Sequence, residues 1–234
     1  MVEKIRLSLW DIFSFFLTGF LATTVALVFF ISFGVYPLEQ FLGDLKHSPV
    51  AITLVAAPLA FTLMGMLIEP IANYVDREAV DKIYRILGQS LGFKIRRCSA
   101  ETELLAEEIR MKYLGSLNGR IDDPYHLCKE YVETKQLSTT FMVFLSRYGF
   151  YRNCAFIALA STIPLVLLLQ RSWATLLGVI ALLFAALLFK ARSEEFYSYM
   201  APAVYRAFLI DKLDWKGDAK PSAQPDDHAS HGPR

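Results

Sequence analysis

Four long stretches without a charged residue constrain the fold of this 234-residue chain more than any motif in it. The first pair extends from Ile12 to about Leu38 and from Ser48 to Ile68. The second pair extends from Asn153 to Gln170 and from Ser172 to Phe189. A helix needs about 20 apolar residues to cross a hydrocarbon core about 30 Å thick, and each stretch reaches or approaches that length. We therefore predict an all-α integral membrane protein with four transmembrane helices arranged as two hairpins.

The boundaries of the predicted spans follow from where charged and turn-forming residues resume. Hydrophobic residues make up 54% of the chain and charged residues 20%, a mixture that fits apolar spans alternating with a charged extramembrane part. The predicted spans cover residues 12–36, 49–69, 152–170 and 172–190.

The distribution of basic residues predicts the orientation of the spans. The short connections between paired spans carry only Lys46 and Arg171, whereas the other 22 of the 24 Lys and Arg residues lie at the N-terminus, between the hairpins, or from Lys190 onward. By the positive-inside rule, both termini and the central segment are expected on the cytoplasmic side of the membrane. The formal net charge of +1 argues against a nucleic-acid partner.

The central segment is predicted to form a helical cytoplasmic domain over residues 73–148. Ser99 is a plausible N-cap because Glu101 and Glu103 follow it in the first turn, where the helix dipole favours acidic side chains. A further helix is expected to begin at Asp123-Pro124, and its apolar face reaches the third span, which allows one uninterrupted helix.

The region after the fourth span is rich in aromatic and basic residues. This composition predicts a juxtamembrane helix over residues 193–216 that either lies on the membrane surface or packs on the cytoplasmic domain. Residues 217–234 have no apolar periodicity and are predicted to be a disordered tail.

Glu69 is the ionisable residue closest to a span interior, because it directly follows 21 uncharged residues. In an oligomer, a ring of such carboxylates would attract cations or hold a proton at the mouth of a pore. The alternative is that Glu69 ends the second span at the headgroups and caps a new helix. The basic residues at the span ends, Arg152, Arg171 and Lys190, are expected to extend toward the headgroups.

A basic cluster of Lys94, Arg96 and Arg97 is expected to lie near the membrane and to bind anionic headgroups. Trp10, just before the first span, is the expected anchor at the interface. Together these four residues form the predicted membrane-surface contact, and the lipid bilayer is the predicted partner.

No residue pattern indicates a catalytic site, a metal site or a cofactor, and we predict a non-enzymatic protein. The three cysteines are widely spaced and are expected to be free thiols that pack as small apolar residues. Arg120 and His126, separated by five residues, resemble the Arg-to-His spacing of HEPN ribonucleases, in which a dimer pairs two such motifs. However, Ile121 stands where that family usually has a polar residue, and Pro124 interrupts the interval.

Three boundary segments, Trp10–Phe16, Phe150–Asn153 and Phe196–Tyr199, resemble those of small bacterial membrane proteins with two helical hairpins around a cytoplasmic insert. That group is uncharacterised, and some members are suspected of a role in antiviral defence against phage. The resemblance implies a membrane effector or sensor and transfers no catalytic residue.

Three functional hypotheses remain open on the sequence. The leading one is a homo-oligomeric pore-forming or membrane-perturbing protein gated through its cytoplasmic domain. The second is a membrane scaffold without conductance that anchors a cytoplasmic protein partner, and the third is a membrane-tethered HEPN-like ribonuclease.

Overall fold

A computed structural model describes residues 9–47, 49–88, 92, 99–114, 123–168 and 173–213. Within these ranges all regular structure is helical and no strand occurs, which confirms the all-α prediction for this part of the chain.

The first half of the chain forms two long helices and a short one between them. They are α1 (Leu9–Ser32), α2 (Leu38–His47) and α3 (Val50–Val75). The backbone of α3 continues without interruption through a π-helical segment, π1 (Asp76–Val80), a short turn, α4 (Asp81–Ile83), and a second π-helical segment, π2 (Tyr84–Gly88).

The second half begins with two short helices and ends with two long ones. They are α5 (Ala100–Ile109), which continues as π3 (Arg110–Leu114), then α6 (Tyr125–Lys135), α7 (Thr139–Ala160), α8 (Thr162–Leu168) and α9 (Trp173–Lys212). The predicted cap of α5 is confirmed, because the Ser99 hydroxyl accepts a hydrogen bond from the Thr102 backbone N–H at 3.3 Å.

The uninterrupted helix from Asp123 into the third span does not form. Gln136 adopts a left-handed conformation with φ of 56°, and the Ser138 side chain then caps α7 by accepting a hydrogen bond from the Phe141 N–H. α7 in turn ends at Ala160, four residues before Pro164, which has no N–H to donate to the Ala160 carbonyl. The third apolar stretch is therefore made of α7 and α8.

Four helices in the described residues are long and apolar enough to cross a membrane. They are Ile12–Ser32, Thr53–Gly88, Thr139–Leu167 and Trp173–Lys212. Their large apolar side chains mostly point away from the protein; Leu54, Val55 and Leu167 are each at least 70% exposed. An apolar surface of this extent requires an apolar environment.

The apolar helices pair as two antiparallel hairpins that meet through α7. α1 packs along α3, α7 packs along α9, and α7 also contacts α1 and α3. We call the end of the bundle that carries α5 and α6 the domain side. The opposite end, with α2, the end of α8 and the start of α9, is the loop side.

The closest approach in the first hairpin is made by two glycines. A Cβ on Gly19 would overlap the carbonyl oxygen of Phe61, and one on Gly65 would overlap the carbonyl oxygen of Phe15. Small residues allow helix backbones to approach this closely where no hydrophobic effect drives helix association. Each glycine therefore lies directly against the backbone of the other helix.

The domain core lies between α5, α6, the start of α7 and the end of α9. Its fully buried members are Ile109, Cys128, Val132, Phe141, Met200, Val204, Tyr205 and Phe208. Half of them belong to α9, so residues 193–212 of the predicted juxtamembrane helix continue α9 and pack on the domain.

α9 is long enough to belong both to the apolar hairpins and to the domain core. Its 40 residues extend about 60 Å at 1.5 Å per residue. A hydrocarbon core is only about 30 Å thick, so one unbroken helix carries both an apolar segment and half of the domain core.

The crossing of α1 and α3 at Gly19 and Gly65 yields a stability prediction. Gly19→Ala is expected to lower the free energy of unfolding by about 2 kcal/mol or more, because a backbone carbonyl cannot move aside as a side chain can. Gly149→Ala, in α7, is the matched control. It has open space around the new methyl group, so it is expected to be neutral or to stabilise by about 0.5–1 kcal/mol. Thermal unfolding in detergent, followed by circular dichroism, measures both; equal transition temperatures would contradict the crossing.

The domain core yields a reactivity prediction. Cys128 is a free, fully buried thiol, and burial together with nearby Asp123 raises its pKa to about 11. In a Cys98→Ser background at pH 7.5, maleimide is therefore expected to label Cys128 only after denaturation. His126→Cys is the control, because residue 126 is exposed on the same helix and should react at once. Peptide mapping by mass spectrometry distinguishes the sites, and rapid labelling of Cys128 in the native protein would show that the core is open.

Candidate functional site: a buried ionic layer

A layer of charged and amide side chains crosses the bundle where the apolar helices enter the domain. Four helical segments contribute to it: α3, the π1–α4 continuation, α7 and α9. We call these seven side chains the ionic layer: Glu69, Asn73, Asp76, Asp81, Arg152, Lys190 and Glu194.

Lys190 is the centre of one half of the layer. Its Nζ lies 2.8 Å from Asp76 Oδ2 and 2.8 Å from Glu194 Oε1, with Asp81 Oδ1 at 3.9 Å. The Lys190 side chain is 3% exposed and that of Asp76 is 8% exposed. A charge this deeply buried costs several kcal/mol unless it is paired, so these contacts are required for Lys190 to occupy the position at all.

The π1 segment explains how Asp76 and Asp81 can both face Lys190. In an α-helix, residues five apart differ by about 140° around the axis, so their side chains point in different directions. A π-helix bonds residue i to i+5, and here the Asp81 N–H donates to the Asp76 carbonyl. The wider turn brings the two carboxylates toward the same side.

Arg152 is the centre of the other half of the layer. Its Nη2 donates to Glu69 Oε1 at 3.3 Å and its Nη1 donates to Asn73 Oδ1 at 3.3 Å. The guanidinium also lies 5.3 Å from the centroid of the Tyr148 ring. Arg152 is 8% exposed, whereas Glu69 is 40% exposed, so only the carboxylate of this pair reaches the surface.

Aromatic rings on the domain side of the layer hold α7 against α9. Tyr151 and Phe196 stack with centroids 5.5 Å apart and ring planes within 4° of parallel, and Arg147 lies 5.4 Å from the Phe196 centroid. The Ser193 hydroxyl donates to the Tyr148 carbonyl at 3.3 Å. These contacts join the α7–α9 hairpin to the domain.

The charges of the layer do not balance. Four carboxylates, Glu69, Asp76, Asp81 and Glu194, face two buried cationic groups, Arg152 and Lys190, and the exposed Arg85 pairs with Asp81 from outside the layer. Asp76 Oδ1 and Arg152 Nε are buried without a hydrogen-bond partner in the described part of the chain. The layer therefore holds unused hydrogen-bonding capacity.

A separate groove of about 1180 Å³ lies in the domain, between the first turns of α5 and α7 and the side of α9. Its floor includes Phe144 and Tyr199, and an ion pair between Arg206 and Glu101 stands at its rim. The groove is large enough for a small molecule or a peptide side-chain cluster.

The structure changes the interpretation of the residues at the span ends. The prediction that Arg152 and Lys190 extend to the headgroups is wrong, because both are buried against carboxylates of α3 and its continuation. Glu69, the predicted pore or ion residue, is paired with Arg152 rather than isolated. The reason is that the guanidinium of Arg152 is buried and needs a carboxylate partner for its charge.

The remaining predicted positions are only partly described. Trp10 lies in the first turn of α1, and His126 is exposed on α6 with its ring 5.6 Å from that of Tyr125. The basic cluster Lys94, Arg96 and Arg97 lies outside the described residues, as do Arg120, Arg171 and the tail 217–234.

Sequence reasoning missed Asp76 and Asp81 as site residues. Lys190 showed one signal, a lysine directly after 18 uncharged residues. Its partner Asp76 lies 114 positions away, and Glu69 lies 83 positions from Arg152. No local pattern identifies contacts over such separations.

In the described residues, no group of three or more His, Cys, Asp or Glu side chains is arranged to hold a metal ion. No protein-family model matches the sequence, and neither a curated protein nor a solved structure is significantly similar to it. The physical arrangement of the layer is therefore the basis for any functional proposal.

Removal of the central cation tests the layer. Lys190→Met is expected to lower the free energy of unfolding by about 3–5 kcal/mol, because it leaves Asp76 charged and buried without its partner. The double variant Lys190→Met/Asp76→Asn is expected to recover much of the loss.

The matched control is Arg85→Met. Arg85 pairs with Asp81 at 2.7 Å but is 68% exposed, so its loss is expected to cost less than about 1 kcal/mol. Chemical denaturation in detergent measures all three variants. Equal costs for Lys190→Met and Arg85→Met would show that the layer is not a buried ion-pair network.

Proposed function

We propose that this chain is an integral protein of the bacterial inner membrane, with four transmembrane helices and both termini in the cytoplasm. It acts as a homo-oligomeric effector that forms a pore or perturbs the bilayer when its helical domain receives a signal. The observation that carries the proposal is the continuity of the helices: α9 passes from the apolar region into the domain core without a break, and the continuation of α3 reaches the same end of the bundle and packs against α7 and α9.

Helix continuity supports mechanical coupling between domain and spans. Met200, Val204 and Phe208 fix α9 in the domain core, while the same helix carries a predicted span about three to five turns away. A ligand or partner in the groove beside Tyr199 and Arg206 would contact α9 directly. Any displacement of α9 at that point is transmitted along a rigid element.

The ionic layer supports discrete rather than gradual states. Because Lys190 and Arg152 are buried, water cannot replace the carboxylates that pair with them at low cost in free energy. A shift of α9 against α3 must therefore pass from one complete pairing to another. Such bistable junctions are what allosteric transitions need.

Assembly is proposed because the groove that the described residues form between apolar helices offers no polar path through one copy. In the described residues, the groove between α1 and α7–α8 is apolar and about 350 Å³ in volume. Glu69, at 40% exposure on the domain side, is the one member of the Arg152 pair that would face a neighbouring copy. Carboxylates repeated around an oligomer would form a cation-attracting mouth.

A scaffold that anchors a cytoplasmic partner is the second candidate, and a specific observation favours it. Leu104 on α5 and Met111 on π3 are 68% and 69% exposed on the domain. Exposed apolar side chains seven residues apart on one helix are typical of a protein-docking surface. The ribonuclease hypothesis gains no support from the exposed His126.

Flux through liposomes tests the leading proposal. The purified full-length protein and the double variant Lys190→Met/Asp76→Asn are reconstituted separately, with an entrapped dye and an ion-sensitive probe. Because the variant lacks the central ion pair, its resting state is expected to leak ions several-fold faster than the parent. Arg85→Met, which removes an exposed pair, is expected to match the parent.

Light scattering with detergent correction gives the mass of each preparation. An oligomer with ion flux supports the proposal. If the parent and the variant are both folded monomers and neither leaks under any condition, the proposal of a pore-forming oligomer is wrong. Recovery of one stoichiometric soluble protein, lost on Leu104→Glu, would favour the scaffold instead.

A further inference from the structure

The helix on the loop side, α2, is strongly amphipathic. Leu38, Phe41 and Leu42 fall on one face at the spacing of three to four residues that an α-helix requires, while Gln40 and Asp44 fall on the other. In the sequence, this connection is short and nearly neutral, and no residue pattern in it indicates a function.

The apolar face of α2 is not covered by the protein. Leu38 is 51% exposed and Leu42 is 46% exposed, and in the described residues α2 packs extensively against no other helix. Its position is nevertheless fixed at its start, because the Tyr36 hydroxyl donates a hydrogen bond to Asp44 and the Tyr36 ring packs edge-on against Phe41 at 6.3 Å.

The chain places α2 at the depth where a bilayer surface would lie. Five residues separate it from the end of α1, and α3 begins three positions after its last residue. Both flanking helices are apolar enough to cross a membrane, so their ends mark the interface. Val35 and Val50, which flank α2 on either side, are also apolar and at least 70% exposed.

The charge of α2 indicates whether binding to lipid would depend on anionic headgroups. α2 carries Glu39 and Asp44 against Lys46 and His47, so it has no basic excess that would attract anionic headgroups. Burial of the apolar side chains is then the driving force, in contrast to a polybasic segment.

We propose that α2 is an interfacial helix that lies in the plane of the bilayer on the loop side. Leu38, Phe41 and Leu42 insert among the upper acyl chains, and the opposite face remains in water. This inference rests on the membrane insertion of α1 and α3 proposed above, and it adds a lipid contact on the side opposite the domain.

Single-site fluorescence tests the proposal in the full-length protein. In a Cys98→Ser background, where Cys128 and Cys154 are buried, an environment-sensitive probe is attached to Leu42→Cys, and, in a second protein, to Gln40→Cys. The matched pair lies on opposite faces of one helix. A third protein, Leu59→Cys, carries the probe on the outward face of α3, where the native side chain is 61% exposed.

In vesicles of zwitterionic lipid, the probe at residue 42 is expected to shift to the blue and to be quenched by nitroxide-labelled lipid several-fold more than the probe at residue 40. High salt and added anionic lipid are expected to change neither result. Strong quenching at residue 59 shows independently that the protein is inserted, so failure of α2 to bind lipid and failure of insertion are distinguishable.

Two results would overturn the inference. Equal, water-like emission at residues 42 and 40, with residue 59 quenched, would show that α2 stands clear of the bilayer. Protection of residue 42 that persists in detergent, depends on protein concentration and accompanies cross-links between copies would show that a second copy covers the face.

Discussion

The buried pairing of Lys190 with Asp76 is the interaction on which the rest of the structure depends. A lysine that is 3% exposed at the end of an apolar segment is tolerable only if carboxylates surround it. Asp76 supplies one from the continuation of α3 and Glu194 supplies another from α9 itself. This requirement fixes the register of the second hairpin against the first, and Arg152 does the same for α7 through Glu69 and Asn73.

The two halves of the molecule consequently share their structural elements. No linker separates the domain from the apolar part of α9. The same helix contributes Met200, Val204 and Phe208 to the domain core and an apolar segment that precedes Lys190. The junction is also packed with aromatic rings, of which the Tyr151–Phe196 stack is the closest to parallel. A domain built in this way cannot move without moving the helices, which is the physical basis of the proposed transduction.

Sequence patterns predicted the elements better than their connections. The four apolar stretches fall in four long apolar helical segments, of which the third is divided between α7 and α8, and Ser99 caps α5 as expected. The break at Gln136 was missed because a left-handed residue other than glycine leaves no compositional signal. The π1 segment was missed because Asp76 and Asp81 look like ordinary solvated positions until Lys190 is placed beside them. The amphipathic face of α2 was visible in the sequence but too short to stand out.

The sequence by itself determined which segments are apolar, where their ends carry charge, and that the described residues between the hairpins are mainly helical. Those properties depend on residue type and local spacing, which a single chain displays directly. Only the tertiary structure decided that Gly19 and Gly65 meet, that Glu69 belongs to Arg152, and that Lys190 is buried rather than extended to the surface. Such pairings are set by the cost of burying backbone and charge at one crossing of distant helices, and that cost exists only once the helices are packed together.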